Sequence, residues 1–173
     1  QGRDGSDDEE TETVTLPPPS LSTTIPEALA LRIVARHPHD TSAFTQGLLW
    51  HEGHLYESTG LEGRSSLRRV RLESGEVVQR TEVPETLFAE GLARIGDELF
   101  QLTWQNETLR VYDIRSFALK RELHYEGEGW GLCHDGEHLV MSDGSARLHF
   151  RDPESFAITR SIEVTKAGRP LRH

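Results

Sequence analysis

Phe88-Ala89-Glu90-Gly91-Leu92-Ala93-Arg94-Ile95-Gly96-Asp97-Glu98-Leu99 is the stretch on which the fold turns. It reads as a strand opening on Gly-Leu, a tight Gly-Asp turn, and a second strand opening on Leu. The same phrase stands on either side of it. Gly47-Leu48 leads to a turn at Glu52-Gly53 and then Leu55, and Gly131-Leu132 leads to Asp135-Gly136 and then Leu139. The Gly-Leu pairs lie 44 and 40 residues apart. A third strand passes through Val70, Val111 and Phe150. A fourth follows turns at 73–75, 113–116 and 152–155, giving Val77-Val78, Ala118-Leu119 and Ala157-Ile158. Four strands in about 40–45 residues is the period of a β-propeller blade. A β-sandwich also needs many short strands, but it does not repeat in fours at this period. The expected fold is all-β, a propeller with three four-stranded blades at about 38–84, 85–127 and 128–170. Closed propellers take four to eight blades, and three leave two open edges. The expectation is therefore a propeller domain over 36–173 that is truncated at its C-terminus.

Residues 1–35 are of another kind. Over the first 30 of them, seven carboxylates (Asp4, Asp7, Asp8, Glu9, Glu10, Glu12, Glu27) face one base, Arg3, and Pro17, Pro18, Pro19 and Pro26 follow. Such a stretch buries too little apolar surface to offset its ordering entropy, so it reads as a disordered acidic linker. A helix over 26–35, with Pro26 in its first turn, or a strand over 31–35 is the one regular element it offers. The chain opens on Gln1 rather than Met, as a processed product or a fragment does. A polar tether ahead of a domain suits an exported protein, extracellular or periplasmic.

The whole chain of 173 residues is 35% hydrophobic and 28% charged, with a net charge of −10. That balance disfavours nucleic acid and anionic membranes, which both reward Lys and Arg. No apolar run approaches the roughly 20 residues of a membrane span. Cys133 is the only cysteine, which excludes an intrachain disulfide and a multi-thiolate zinc site. It follows a Gly-Leu pair and reads as a core thiol. His37/His39 and His51/His54 have no further ligands at a metal spacing, so no metal site is expected.

The informative residues are those the repeat does not require. Gln46, Glu90 and Trp130 each stand directly before a Gly-Leu pair. They hold equivalent places at the starts of the innermost strands and should converge at one mouth of the channel. Phe44 and Phe88, two residues earlier than Gln46 and Glu90, share their side of the alternation. A carboxyl group among aromatics is a candidate acid/base, because desolvation raises its pKa. Its alternative is to accept backbone N–H bonds at a blade start. Trp104 and Gln105 follow the second strand of the middle blade, where a Trp either faces the site or caps the core. Trp50 reads as packing.

At these residues the sequence resembles the plant and bacterial type of glutaminyl cyclase (glutamine cyclotransferase), a five-bladed propeller family. The likeness rests on Phe44-Thr45-Gln46-Gly47-Leu48, Tyr56-Glu57-Ser58-Thr59-Gly60, Gly63-Arg64-Ser65-Ser66-Leu67, the segments 88–92, 102–105 and 125–132, and 141–145. It covers roughly the family's first three blades. The resemblance implies Glu90 as the catalytic carboxylate, with Phe44, Gln46, Phe88, Trp104 and Trp130 around the substrate; Gln105, beside Trp104, is expected to bind substrate with them. Ala89 departs from the pattern where the family commonly has Gly. The family's Asn-Glu-Leu-Glu segment, and the later Asn, Trp and Lys it supplies to the site, lie beyond His173. The implied reaction closes an N-terminal glutaminyl residue of a peptide into 5-oxoproline and releases ammonia. It needs no metal or cofactor, and a monomer is expected of the complete protein. In this scheme the Trp indole N–H groups and the Gln46 amide hold the substrate carboxamide or its oxyanion. The competing expectation is a non-catalytic propeller, or an inactive fragment, that at most binds a peptide end.

Overall fold

The computed structural model describes residues 28–171. The chain divides into two compact units, Gln1–Val34 and Ala35–His173. Of the first unit, residues 28–34 are described and have no regular structure. Neither a helix nor a strand forms over 28–35, contrary to the expectation for that stretch. The reason is burial: Leu29, Leu31, Ile33 and Val34 are all exposed, and a short segment without a packed face has nothing to hold it regular. The remainder of the acidic linker lies outside the described residues.

The second unit holds three four-stranded antiparallel sheets, each a simple up-and-down meander. The first runs β1 (Thr45–His51), β2 (His54–Thr59), β3 (Ser66–Arg71) and β4 (Val77–Glu82). The second runs β5 (Ala89–Ile95), β6 (Glu98–Thr103), β7 (Thr108–Asp113) and β8 (Leu119–His124). The third runs β9 (Leu132–His134), β10 (Leu139–Ser142), β11 (Arg147–Arg151) and β12 (Ile158–Glu163). A two-stranded hairpin follows, β13 (Thr165–Lys166) and β14 (Arg169–Pro170). The fold is all-β, with consecutive blades packed face to face.

The turns repeat as closely as the strands. Asp113 Oδ1 accepts the Arg115 and Ser116 amides and the Ser116 hydroxyl. Asp152 Oδ1 does the same for Glu154, Ser155 and the Ser155 hydroxyl. Each Asx turn ends on a residue in the left-handed region: Phe117 and Phe156, both at φ 59°. The first blade has Gly75 there, at φ 69°, and it donates to Arg71 as Phe117 donates to Asp113. Two phenylalanines tolerate a conformation suited to glycine because each side chain is buried, which offsets a strain of about 1–3 kcal/mol.

Two apolar layers lie between the blades. Tyr56, Leu67, Leu92, Leu99, Tyr112, Ile114 and Phe117 fill the first. Phe100, Leu102, Leu109, Val111, Tyr125, Leu139, Met141 and Phe156 are the bulk of the second. The middle blade is therefore buried on both faces, while β1 alternates and β12 is exposed throughout. This corrects two expectations. Trp50, on the side of β1 away from the middle blade, is 54% exposed rather than packed. Cys133 is exposed rather than in the core, because strand alternation sends its neighbour Leu132 into the apolar layer instead. Desolvation and the Asp135 charge push the Cys133 thiol upward, away from thiolate reactivity.

The Gly-Leu repeat has a steric cause. A Cβ added at Gly47 would stand 2.5 Å from the Leu92 backbone nitrogen. One at Gly91 would stand 2.5 Å from the Leu132 nitrogen and 2.5 Å from the Trp130 carbonyl oxygen. Each glycine thus lets the next blade's inner strand approach backbone to backbone. Gly91 donates its N–H to that same Trp130 carbonyl at 2.8 Å. Gly91→Ala is expected to lower the free energy of unfolding by about 1–3 kcal/mol, read from urea unfolding. An unchanged urea midpoint would show that the blades do not need this approach.

Candidate active site

The inner strands begin with irregular pairing. In β1 the register steps from Thr45↔Thr59 to Gly47↔Ser58, leaving Gln46 as the extra residue. In β5 it steps from Ala89↔Thr103 to Leu92↔Gln101, across Glu90 and Gly91. These bulges re-aim the side chains of Gln46 and Glu90 out of the plain alternation. The backbone around them is tied down. Phe44 and Phe88 carbonyls accept from Gly60 and Trp104 at 2.8 Å each, and the Ala89 amide donates to Ser65 Oγ at 3.1 Å.

The result is a cavity of about 450 Å³ lined by Gln46, Phe88, Glu90, Trp104, Trp130, Gly131 and Ser142. All three blades contribute. The three residues that precede the Gly-Leu pairs, Gln46, Glu90 and Trp130, share it. Gln46 Nε2 donates to Glu90 Oε1 at 2.6 Å. Phe88 lies over Gly60, where an added Cβ would meet its ring at 2.4 Å, and makes edge contacts with Trp104 at 5.7 Å and Phe44 at 6.2 Å between centroids. Phe44 is half exposed and braces Phe88 rather than lining the cavity. Trp104 lines the cavity.

Glu90 is 8% exposed among these aromatics. Desolvation pushes its carboxyl up to about 7, and the Gln46 hydrogen bond offsets only part of that rise. A carboxyl at that value is divided between its neutral and ionised forms near neutral pH.

Two residues escaped the sequence reading. Ser142 closes the cavity from the end of β10, and its Oγ accepts the Gly131 amide at 2.9 Å, leaving the hydroxyl proton as a donor. Glu128 accepts from Trp104 Nε1 at 3.0 Å and Trp130 Nε1 at 3.0 Å on Oε2, and from Gln105 Nε2 at 2.9 Å on Oε1. This changes the expected use of the indoles: their N–H groups are directed to Glu128, not left open for a substrate oxygen. Gln105 reaches the site only through that carboxylate. The available signal was an acid isolated between Gly127 and Gly129, two residues before Trp130. Among the described residues, no group of three His, Cys, Asp or Glu side chains is placed to hold a metal ion.

Fold and cavity together define a β-propeller that carries one neutral-titrating carboxyl group inside an aromatic-walled pocket at the starts of its inner strands. The glutamine cyclotransferase family model matches residues 11–173. The chain is 41% identical over 145 residues to the glutaminyl-peptide cyclotransferase of Arabidopsis thaliana, covering 83% of this chain and 45% of that protein. It superposes on the crystal structure of Myxococcus xanthus glutaminyl cyclase with a TM-score of 0.75 at 40% identity, covering 82% of this chain and 60% of that one. The Neurospora crassa Pan2 WD40 domain matches at a TM-score of 0.58 and 14% identity, over 69% of this chain and 36% of that one, a likeness of fold alone. This chain belongs to the glutamine cyclotransferase family. It spans about half the length of the Arabidopsis relative and three-fifths of the Myxococcus one.

Glu90 also leaves a mark on stability. Its folded pKa of about 7 lies above the ordinary 4.5, so the folded state binds more protons than the unfolded one between those values. The stability that Glu90 contributes is fully present below about 4.5 and is lost as pH rises through about 7. Glu90→Gln should remove that loss: the variant melts above the wild type at pH 8, and the two melting temperatures converge near pH 4. Parallel melting curves across this range would show that Glu90 titrates normally.

Proposed function

We propose that this chain carries the site of a glutaminyl-peptide cyclotransferase, which converts an N-terminal glutaminyl residue to 5-oxoproline with release of ammonia. The observation that supports it most is Glu90: a buried carboxyl poised near neutrality, hydrogen-bonded by Gln46, inside an aromatic pocket of a size for one side chain. Family membership gives the reaction class.

The chemistry is intramolecular. The substrate's α-amine attacks its own side-chain amide carbon, so one C–N bond forms, the carbonyl becomes a tetrahedral oxyanion, and the C–N bond to the leaving nitrogen then breaks. Holding the bent conformer supplies much of the barrier reduction. Ionised Glu90 takes the proton released by the attacking amine and returns it to the leaving nitrogen as ammonia departs. One group performs both steps because its pKa lies between those of an ordinary carboxyl and an amine. Phe88 and the ring carbons of Trp104 and Trp130 exclude water and favour the neutral amine. The second amide proton of Gln46 and the Ser142 hydroxyl are the neutral donors within the cavity for the oxyanion; the indole N–H groups, held by Glu128, are not assigned that task.

Incubation with a Gln-initiated tripeptide should give a product lighter by about 17 Da, one ammonia, and Glu90→Gln should slow its appearance by at least about 100-fold. Tripeptide binding without any mass change would instead identify a non-catalytic binding module, and full activity in Glu90→Gln would remove Glu90 from the mechanism.

A further inference from the structure

We infer that Glu128 is a positioning residue: its carboxylate fixes Trp104 and Trp130 as the two indole walls of the pocket across the boundary between the second and third blades. The inference rests on the proposed reading of the cavity as the glutaminyl site, and it adds a group that touches neither Glu90 nor the reacting atoms.

The geometry points one way. Trp104 follows β6 of the middle blade, and Trp130 precedes β9 of the next. Their Nε1 atoms converge on a single oxygen, Glu128 Oε2, at 3.0 Å each. An indole N–H only donates, so one oxygen facing two of them must offer two lone pairs and no proton. An ionised carboxylate meets that condition and makes stronger bonds than a neutral acceptor. The three donors Gln105, Trp130 and Trp104 in turn hold Glu128 below the usual carboxylate range, so the acceptor persists into acid.

The loop carrying Glu128 is itself fixed. Gly127, in the left-handed region at φ 87°, donates to Glu107 Oε1 at 3.0 Å, and Gly129 donates to the Trp104 carbonyl at 2.8 Å. A Cβ at Gly129 would meet the Tyr125 hydroxyl at 2.2 Å and the Thr103 carbonyl at 2.7 Å, so the loop lies flush on the end of the middle blade. Behind Trp130, Gly144 leaves room for the indole, with an added Cβ only 3.0 Å from Cε2. Glu128 thus sits on a rigid support, with each wall reached from a different sheet. That is the arrangement by which a supporting residue locks reactive geometry without joining the chemistry.

The test uses fluorescence as well as turnover. Trp50→Phe removes the third, exposed tryptophan and leaves Trp104 and Trp130 as reporters. In that background, Glu128→Ala is expected to raise acrylamide quenching of the two indoles at least about twofold and to raise KM for a Gln-initiated tripeptide about tenfold, with kcat less affected. Glu128→Gln, which keeps an acceptor oxygen but no charge, should recover part of both losses. It should also abolish the emission change that accompanies acid protonation of Glu128. Unaltered quenching in Glu128→Ala at a wild-type melting temperature would overturn the inference. If Glu128→Ala fails to fold, an unchanged acid transition in Glu128→Gln overturns it equally. Altered indole quenching without any cyclisation by the parent protein would leave Glu128's role standing and count against the proposed reaction. Cyclisation that is indifferent to Glu128 would do the reverse.

Discussion

Everything in this molecule depends on how closely consecutive blades can approach at their inner strands. Gly47 and Gly91 have no Cβ, and the space such an atom would fill belongs to the backbone of Leu92 and Leu132. That contact sets the distance between sheets at the axis, where side chains are too large to mediate it. Farther out, Leu, Tyr and Phe fill the widening wedge. The taper from glycine to aromatic is what makes stacked flat sheets into a fan. It also brings Gln46, Glu90 and Trp130, one residue before each Gly-Leu pair, within reach of one cavity. The site is therefore a by-product of the same close approach that builds the fold, with the bulges in β1 and β5 supplying the final aim.

The two carboxyl groups of the site show how environment assigns roles. Glu90 has one amide donor and aromatic neighbours, so desolvation dominates and its pKa rises. Glu128 has three donors at the pocket rim, so hydrogen bonding dominates and its pKa falls. One is left able to exchange a proton at neutral pH and the other unable to. Groups of the same chemical type, joined through the Trp104 and Trp130 walls, are thus pushed apart by their surroundings alone.

The repeat was legible because its causes are local: a turn needs Gly or Asp, and the axis needs Gly. Glu90 was legible because an acid at a framework position of a blade demands a reason that Gln46 and Trp130 also supplied. Trp50 and Cys133 were misread because their surroundings depend on which side of an inner strand faces the neighbouring blade, and alternation fixes only relative sides. The 26–35 stretch has apolar residues and a suitable Pro, but pattern does not say whether a surface exists to receive them. Glu128 was overlooked for a subtler reason. Its three donors come from residues 104, 105 and 130, and no sequence spacing reveals that two indole edges converge on one oxygen.

Burial is also distributed in a way that bears on function. The middle blade, which carries Glu90, Phe88 and Trp104, is covered on both faces. Its strands rest on an internal polar seam as well as apolar layers: Gln101 donates to Ser58 in the first blade and accepts from Tyr112, which accepts from Arg110. A mispaired member of such a buried chain costs about 1–3 kcal/mol, so the seam resists slippage of the sheets along each other. The outer faces of β1 and β12, where Leu48, Trp50, Ile158 and Ile162 are exposed, have no such restraint among the described residues. The catalytic candidate therefore sits on the most constrained sheet, while Gln46, Trp130 and Ser142 reach the cavity from the two flanking sheets. An acid held near pKa 7 by desolvation requires that placement, because any loosening that admits water lowers the pKa and removes the property that makes the group useful.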